Sequence, residues 1–277
     1  MMNNTFRENI NRTMLYILIS LAAFIALLPL MYMLSTSLKT YGQTITRVSY
    51  SPFHPDFWPP LNALQFQNYQ IAWNEGIGRY FINSSIISSV TVIGVLLTSV
   101  PAAYAFSKIP FKGKNVLFIV LLTTLMIPET VLTIPNFLTM RNLGWFNTLP
   151  ALTAPFMGSA FFIFLLRQFF NQLPNSFLES ARIDGAGTFR TMIFIALPLI
   201  RAPLFTTIFL SFTGAWNALQ WPLVITNSDT WRPLTVGLLK FLSEAAAESH
   251  LRMAASSIAL IPVILVYIIA QRHITEA

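Results

Sequence analysis

The residues whose types and spacing could do chemistry lie in a polar segment, residues 179–198, of an otherwise apolar chain. Glu179 and Arg182 stand three residues apart, so on a helix they share a face and could pair, although a solvated pair contributes only about 0.2–0.5 kcal/mol. The value of such a pair would be that it fixes the shape of a surface. No residue of the segment need do covalent chemistry, so the chemistry open to it is noncovalent recognition.

Motifs of covalent catalysis and of ATP hydrolysis are absent from the sequence. It contains neither Gly-x-Ser-x-Gly nor His-Glu-x-x-His, and it lacks the phosphate-cradling Gly-x4-Gly-Lys-Ser/Thr. There are no cysteines, and His54, His250 and His273 are scattered without the spacing of metal ligands. We therefore expect no enzymatic activity, no metal site and no cofactor bound by this chain.

Two short helices with a break between them are predicted within residues 179–198. Gly185 and Gly187 stand where the first helical pattern ends, and glycine adopts a positive φ at a helix C-terminus at little cost. Thr188 is then the predicted N-cap of the second helix. The apolar run at residues 191–200 is shorter than the roughly 20 residues that a transmembrane helix needs, so we expect it to lie against the membrane face.

The composition is that of an integral membrane protein. Hydrophobic residues make up 55% of the chain and charged residues only 10%, with a mean hydropathy of +0.61, which does not suit a water-facing surface. The chain is predicted to be all-α with six transmembrane helices, the third of which needs a kink or tilt at Pro128 and Glu129. The six stretches are residues 13–38, 80–107, 116–128, 142–166, 202–228 and 253–271.

The distribution of basic residues orients these helices. Ten of the seventeen Lys and Arg residues lie in segments predicted to be inside, and the tight loop from Lys108 to Lys114 is the clearest marker. Both termini are predicted to be cytoplasmic, and the first helix, too long for a signal-peptide core, is expected to be retained. The net charge of +7 reflects this topology, because the basic residues form no stripe that would bind nucleic acid.

The chain is predicted to have two parts. Residues 1–78 comprise the first helix and an outer segment, in which Trp58 and Trp73 would anchor the chain at the membrane interface or, alternatively, stack on a sugar. Residues 79–277 hold the other five helices and the polar segment, with no linker or low-complexity stretch between them. We expect these residues to form one transmembrane domain.

A first group of polar residues lies in the outer half of the second predicted span. Asn83 and Ser84 begin it, and Ser85, Ser88 and Ser89 follow. Such a stripe is costly in a membrane unless it faces other helices or water. It either lines a translocation path or joins one helix to another, and the sequence leaves both interpretations open.

A second polar group lies in the fifth predicted span. Trp216 and Gln220 are four residues apart and would share one helix face, while Asn217 and Trp221 would form the adjacent pair. Aromatic rings beside amides offer stacking surface and hydrogen bonds without charge, which suits a neutral sugar or polyol. The alternative is that Pro222 simply ends or kinks the helix there.

The spacing Glu-x-Ala-x3-Gly-x9-Ile-x-Leu-Pro at residues 179–198 resembles the cytoplasmic signature of the membrane-spanning subunits of bacterial ABC importers. In that family the loop is where a separate ATPase docks, and we call residues 179–198 the docking segment. Fixed residue types at fixed offsets, between the fourth and fifth predicted spans, are hard to obtain by accident. The residues that the resemblance assigns to docking are Glu179, Ser180, Ala181, Arg182, Asp184, Gly185, Ala186, Gly187, Ile195, Leu197 and Pro198.

Further stretches resemble one subgroup, the second membrane subunit of carbohydrate importers of the maltose and glycerol-phosphate type. The match covers most of the chain and implies the type I ABC importer fold, with a coupling-helix loop between helices 4 and 5. The matching stretches are Met126-Ile127-Pro128 with Ile134-Pro135, Leu143-Gly144 with Asn147-Thr148, residues 164–170, residues 181–186, Trp216-Asn217, Trp221-Pro222-Leu223, residues 253–256 and Gln271-Arg272.

The resemblance implies a permease subunit that moves a sugar, oligosaccharide or polyol across the bacterial cytoplasmic membrane by alternating access. It further implies a heterodimer with a second, related permease subunit, two ATPase subunits that bind ATP and Mg, and an extracytoplasmic solute-binding protein. Two positions depart from the family pattern. Ser180 replaces the usual alanine, which should leave packing intact, and residues 275–277 stand where relatives have a Gly-rich tail, so a tail contact with the ATPase is not expected to carry over.

Two rival functions remain open from the sequence. A secondary transporter or channel would carry ionisable residues inside several spans, or inverted repeats. Here the charged residues lie at span edges, apart from Glu129, whose place in the membrane or at its surface is left open. An ABC importer for a non-sugar solute would share the docking segment, and only the subgroup resemblance points to carbohydrate.

Overall fold

The structure is a computed structural model that describes residues 2–46, 48–244 and 248–274. The regular secondary structure in these ranges is helical, which confirms the predicted all-α class. Short 3-10 or π-helical turns connect several of the helices, and residues 275–277, where the tail expectation falls, lie outside the described ranges. The α-helices are α1 (Met2–Ser37), α2 (Tyr41–Thr46), α3 (Gln67–Ala72), α4 (Gly78–Lys108), α5 (Lys114–Thr123), α6 (Thr133–Asn142), α7 (Leu149–Met157), α8 (Ala160–Gln172), α9 (Asn175–Ile183), α10 (Thr188–Thr191), α11 (Leu197–Leu199), α12 (Arg201–Trp216), α13 (Gln220–Ile225), α14 (Leu234–Glu244) and α15 (Ser249–Ile274).

The described helices provide up to six membrane spans. Three stretches are long and apolar enough by themselves, and three pairs of bent helices would each make one broken span. The prediction of about six spans is therefore confirmed. The three single spans are Asn11–Ser37, Gln67–Lys108 and Ser249–Arg272, and the bent pairs are Lys114–Met126 with Glu129–Asn142, Leu149–Met157 with Ala160–Gln172, and Thr188–Leu199 with Arg201–Trp216.

The third predicted span is sharply broken at its proline. Ile127 is extended, with φ −86° and ψ 117°, as the residue before a proline prefers to be, and Pro128 lacks the N–H that a continuing helix requires. Helix resumes after the 3-10 turn Glu129–Leu132, and the two parts meet at 88°. The side chain of Glu129 is exposed in this turn. The predicted kink is thus a right-angled turn between α5 and α6.

The predicted start of the fourth span at residue 142 is wrong. α6 ends at Asn142, and the chain then turns through Gly144 and Asn147, whose φ angles are 71° and 58°. α7 begins only at Leu149, after the extended N-cap Thr148. The predicted span continued through this turn because it was based on apolar composition. Single residues of positive φ can form a turn without changing the hydropathy of the stretch.

The fifth predicted span, residues 202–228, is not one continuous helix. α12 ends at Trp216, and α13 begins at Gln220 after a non-helical Leu219 (φ −124°, ψ −53°). Pro222 accounts for the break, because it has no N–H to donate to the carbonyl four residues earlier and its ring clashes with that carbonyl. The prediction that Trp216 and Gln220 share a helix face is therefore wrong, and a helix break near Pro222, which the alternative interpretation expected, is observed.

The chain divides into two compact units. One comprises Met1–Gly78 with Lys240–Leu260, and the other comprises Arg79–Leu239 with Ile261–Ala277. The second unit contains α5 to α13 whole, together with nearly all of α4. The predicted division into residues 1–78 and 79–277 assigns the whole C-terminal region to one domain and remains a prediction.

Polar contacts of buried residues hold the first unit together just beyond α1. The side-chain amide of Asn68 donates to the carbonyl oxygens of Ser37 and Lys39, at 2.8 and 3.0 Å. The ammonium group of Lys39 donates to the carbonyl oxygen of Asp56 at 2.6 Å. Burial lowers the pKa of Lys39, and the nearby Asp56 charge opposes that shift. The outer segment is thereby fastened to the end of α1.

Two apolar clusters pack along α4 in the second unit. One involves residues near the start of α4 with α6, α7 and α13, and we call it the Trp221 cluster. The other involves residues near the end of α4 with α8, α9 and the docking segment, and we call it the docking cluster. The Trp221 cluster contains Ile87, Met140, Ala151, Leu152, Trp221 and Ile225; the docking cluster contains Val100, Ala103, Tyr104, Ile163, Leu166, Phe170, Leu178, Met192, Ala196 and Ile200.

Close packing of α14 against α4 depends on a glycine. A Cβ built on Gly237 would lie 2.1 Å from Cδ2 of Tyr80, whose ring is buried. Gly237→Ala is therefore expected to destabilise the protein by about 1–3 kcal/mol, as overpacking does. The matched control is Gly214→Ala in α12, where a Cβ meets nothing within 4 Å and the change should be neutral or stabilising. Thermal unfolding of both purified variants in detergent measures this; equal melting curves would contradict the close packing.

Candidate functional site

The docking segment contains a helix end whose backbone conformation suits glycine. α9 ends at Ile183, and Gly185 follows the C-cap Asp184 with a φ of 80°. The N–H of Gly185 donates to the carbonyl of Arg182 at 3.0 Å, and the N–H of Ala186 donates to the carbonyl of Ala181 at 2.9 Å. This pair of bonds is a Schellman motif, so the predicted role of Gly185 at the helix C-terminus agrees with the geometry.

The second helix of the segment starts differently from the prediction. Gly187, with φ −69° and ψ 163°, is the N-cap of α10, and Thr188 is already its first helical residue, so the Thr188 cap is wrong. A glycine can cap because it leaves the first N–H groups open to solvent. Glu179 and Arg182 are both exposed, and within the described residues no ion pair joins them. Their side chains are thus presented outward.

The docking segment is anchored in the interior of the second unit. α9 buries Leu178 and Ala181, and the turn that follows α10 buries Met192 and Ala196, all but Ala181 within the docking cluster. That cluster also contains Leu166 and Phe170 of α8 and the last apolar residues of α4. Because protein interiors deform little, a force applied to the segment is transmitted through these close-packed side chains to α4 and α8.

The outward face of the docking segment is apolar at its tip. The side chain of Ile183 is 86% exposed and that of Phe189 is 70% exposed, and Phe177 is exposed beside them. Glu179, Ser180, Arg182, Asp184 and Arg190 lie on α9, α10 and the turn between them and are exposed too, and the Ser180 hydroxyl donates to its own helix at Phe177 O. Large exposed apolar side chains rimmed by charges are typical of a protein-binding surface.

The last residues of the signature terminate the segment. Ile195 and Leu197 are half-buried, and Pro198 is exposed in α11, a helix of only three residues. Ile200 then leaves the helical conformation, with φ −111° and ψ 32°, and the following α12 runs at 87° to the preceding helix. The apolar run at 191–200 accordingly forms a short packed helical stretch that ends in a turn.

Asn83 and Ser84, candidates for a translocation path, hold a loop in the structure. The side-chain amide of Asn83 donates to the carbonyl oxygens of Thr230 and Arg232, at 3.1 and 3.0 Å. The Ser84 hydroxyl accepts from the N–H of Leu234 at 2.7 Å. Both side chains are buried. Of the two interpretations left open by the sequence, these contacts favour the structural one at these two positions.

Asn147 is a third member of this arrangement that no site prediction included. Its side-chain oxygen accepts from the N–H groups of Asn227 and Ser228, at 3.2 and 3.4 Å, and its amide donates to the Ser228 hydroxyl at 2.7 Å. We call Asn83, Ser84 and Asn147 the loop clamp, because together they hold residues 227–234. The signal was the pair Asn147-Thr148, which matched the family pattern without a role being assigned.

The four candidates of the fifth predicted span divide into two kinds. Trp216 is buried, with its ring stacked on Phe212 and edge-on to Phe81. Trp221 is buried too, and its indole N–H donates to the carbonyl of Ala151 at 3.0 Å. Their surfaces are therefore committed to internal packing. By contrast, Asn217 and Gln220 are exposed on either side of the helix break.

The loop clamp leads to a prediction that separates its structural role from a path role. Asn83→Leu leaves the carbonyls of Thr230 and Arg232 without their donor, so we expect the free energy of unfolding to fall by about 1–3 kcal/mol. Ser85→Ala is the control, because the Ser85 hydroxyl bonds only to its own helix at Phe81 O. Thermal unfolding and cargo uptake test both variants. A raised KM with unchanged stability in Asn83→Leu would instead indicate contact with the cargo.

Comparisons with known proteins identify the class of this fold and site. Residues 94–276 match the family described as "Binding-protein-dependent transport system inner membrane component". The chain is 33% identical over 264 residues to the diacetylchitobiose uptake system permease protein NgcG of Streptomyces coelicolor, covering 93% of this chain and 84% of that protein. It is also 33% identical over 216 residues to the sn-glycerol-3-phosphate transport system permease protein UgpE of Yersinia pestis, covering 75% and 77%.

Solved structures agree with this class. A chain from a bacterial ABC transporter involved in the import of the acidic polysaccharide alginate superposes with a TM-score of 0.82 at 25% identity, over 95% of this chain and 96% of that one. A chain from an alginate transporter crystallised with its pentasaccharide-bound periplasmic protein shares the fold at a TM-score of 0.62 and 14% identity. The chain therefore belongs to the family of inner membrane components of binding-protein-dependent ABC importers, as its sequence predicts.

Proposed function

We propose that this chain is the permease subunit of an ATP-driven importer that moves a carbohydrate across the bacterial cytoplasmic membrane by alternating access. The observation that supports it most strongly is the docking segment, whose apolar tip is exposed while its base is part of a core shared with α4 and α8. A partner that grips the tip can thereby move two transmembrane helices. The energy comes from ATP, which that partner binds together with Mg, and this chain has no ATPase site of its own.

The proposed assembly contains this chain, a second related permease subunit, two ATPase subunits and an extracytoplasmic solute-binding protein. Both termini face the cytoplasm, and all the docking residues from Glu179 to Pro198 lie on the same side. The basic loop from Lys108 to Lys114 supports this orientation, since Lys108 donates to the side chain of Asn175 at the start of α9. ATP binding closes the ATPase pair, which pushes the two docking segments and turns the transporter outward.

The proposed cargo is a sugar, oligosaccharide or polyol. Asn217 and Gln220 flank a helix break about 24 Å along α12 from Arg201, at 1.5 Å per residue over 16 residues. Irregular backbone at membrane depth is tolerated where it is buried in protein or lines a water-filled cavity. Two exposed amides there offer hydrogen bonds without charge. The relatives NgcG and UgpE, which are named for the uptake of diacetylchitobiose and the transport of sn-glycerol-3-phosphate, support the carbohydrate class.

Purification of the tagged chain with its native partners in mild detergent tests the proposal. Two ATPase subunits and one related permease are expected per copy of this chain. The binding protein recovered or encoded beside them is then screened against chitooligosaccharides, glycerol phosphate and alginate oligosaccharides, and the hits are tested for ATP-dependent uptake into proteoliposomes. Uptake of only an amino acid or an inorganic ion would overturn the carbohydrate assignment, and purification without any ATPase would overturn the importer assignment.

A further inference from the structure

Three basic side chains converge at the end of α4, and we propose that they bind the phosphate headgroup of an anionic phospholipid. The residues are Lys108, Lys114 and Arg167, and we call them the basic cluster. All three side chains are half-buried. Lys108 is the last residue of α4 and Lys114 is the first residue of α5, while Arg167 lies in the middle of α8, and all three helices belong to candidate spans.

Two members of the cluster are fixed on the carbonyl end of α4. Arg167 donates from Nε to the carbonyl oxygen of Phe106 at 3.0 Å, and its guanidinium lies 3.8 Å from the ring centroid of Phe118. Lys114 donates to the carbonyl oxygens of Ser107 and Ile109, at 2.8 and 3.3 Å. The Phe118 ring covers one face of the guanidinium. The edges of the guanidinium, which carry further N–H donors, are not covered by this ring.

The third member is fixed beside the docking segment. Lys108 donates to the carbonyl oxygen of Leu173 at 2.7 Å and to the side-chain oxygen of Asn175 at 3.0 Å. All these acceptors are neutral. The short loop between α4 and α5 is therefore held in one place by ammonium and guanidinium groups, rather than by carboxylates.

The three positive charges of the basic cluster have no ion-pair partner among the described residues. A helix C-terminus supplies only about half a negative charge, whereas the cluster carries three full positive charges. In the part of the chain that the structure describes, no ion pair involves any of the three. Between Arg79 and Leu178 the sequence contains one acidic residue, Glu129. Fixed cations with spare N–H groups and no counter-charge form a site for an anion.

The surroundings indicate that this anion belongs to an amphiphile. α5 continues directly from Lys114 with exposed apolar side chains at Val116, Leu117, Ile119 and Val120. A phospholipid would place its phosphate on the cluster at the membrane interface and its acyl chains along this face of α5. Basic pockets between transmembrane helices recognise anionic headgroups in this way. A free phosphate ion would use the cations but gain nothing from the apolar face.

The test is lipid retention by the full transporter complex after exhaustive exchange into mild detergent, with phosphatidylglycerol and phosphatidylethanolamine counted per complex by mass spectrometry. Wild type should retain phosphatidylglycerol selectively. Lys114→Gln should lower that retention about fivefold, the factor expected for one basic residue near an anionic headgroup. Lys114→Arg should restore it. The control is Lys112→Gln, which removes the same charge from an exposed position two residues away.

Four results would overturn the proposal. Equal retention of both lipids would show that the headgroup charge is not recognised. An equal loss in Lys112→Gln would show that only the overall charge of the loop matters. Thermal protection of the delipidated complex by inorganic phosphate alone, equal to that by phosphatidylglycerol, would assign the cluster to a free anion. Loss of the ATPase from Lys114→Gln with lipid retention unchanged would likewise contradict it and assign Lys114 to the subunit interface.

Discussion

Replacing Gly185 with proline is expected to reduce ATP-driven uptake to less than about a tenth of the wild-type rate while the protein still inserts in the membrane. Gly185 has a φ of 80° and donates its N–H to the carbonyl of Arg182 at 3.0 Å. Proline is fixed near a φ of −65° and has no N–H, so the Schellman motif cannot form. The connection between α9 and α10 must then change course, and the exposed tip moves relative to its anchor.

A matched control is available two residues away. Gly187 has an ordinary φ of −69°, and a Cβ at that position meets nothing within 4 Å. Gly187→Ala should therefore transport at a rate close to wild type. Uptake and ATP hydrolysis are measured together in proteoliposomes. In an uncoupled variant the protein is still inserted in the membrane, but ATP hydrolysis no longer drives uptake. Unchanged uptake in Gly185→Pro would contradict the docking mechanism.

Replacing Ile183 with glutamate is expected to weaken binding of the ATPase by about thirtyfold or more. Ile183 is the last residue of α9, and its side chain is 86% exposed at the tip of the docking segment. An apolar side chain at the centre of an interface commonly contributes about 2 kcal/mol or more, and a carboxylate there would also be desolvated without a partner. The stability of the permease itself should not change, because Ile183 makes little contact with its own chain.

The control for Ile183 must be equally exposed but outside the docking segment. Leu61 lies in the 3-10 turn Leu61–Ala63 of the first unit, and its side chain is 89% exposed. Leu61→Glu should leave ATPase binding unchanged. Co-purification from detergent extracts, with the ATPase quantified per permease, measures both variants. If the two substitutions weaken binding alike, or neither does, the apolar tip is not the docking surface.

The membrane class, a count of about six spans and the two short helices within residues 179–198 were predictable from the sequence. Long uncharged stretches have one stable environment, the bilayer, whatever their neighbours are. Gly185 could be assigned to a helix C-terminus because the requirement for a positive φ is local and glycine meets it best. The same reasoning failed for Thr188, because Gly187 serves as the cap and local propensity alone does not choose between two adjacent candidates.

The roles of side chains whose partners are distant in the chain could not be predicted from the sequence. Asn83 was open to both a path role and a structural role, and its partners lie almost 150 positions later, at Thr230 and Arg232. Trp216 and Trp221 looked alike as aromatic residues beside amides, yet both are buried in separate internal contacts. No pattern of nearby residues encodes such pairings, because they arise only when helices far apart in the chain pack together.

The sequence by itself therefore determined what each stretch must be: an apolar helix, a turn at a proline or glycine, or a polar segment outside the membrane. These properties follow from the solvent preference and backbone freedom of single residues. The tertiary structure alone decided which polar groups face one another, namely the loop clamp, the buried indoles and the basic cluster at the end of α4. Those outcomes are set by packing, because a polar group inside a folded membrane protein must find its partner wherever the neighbouring helix presents one.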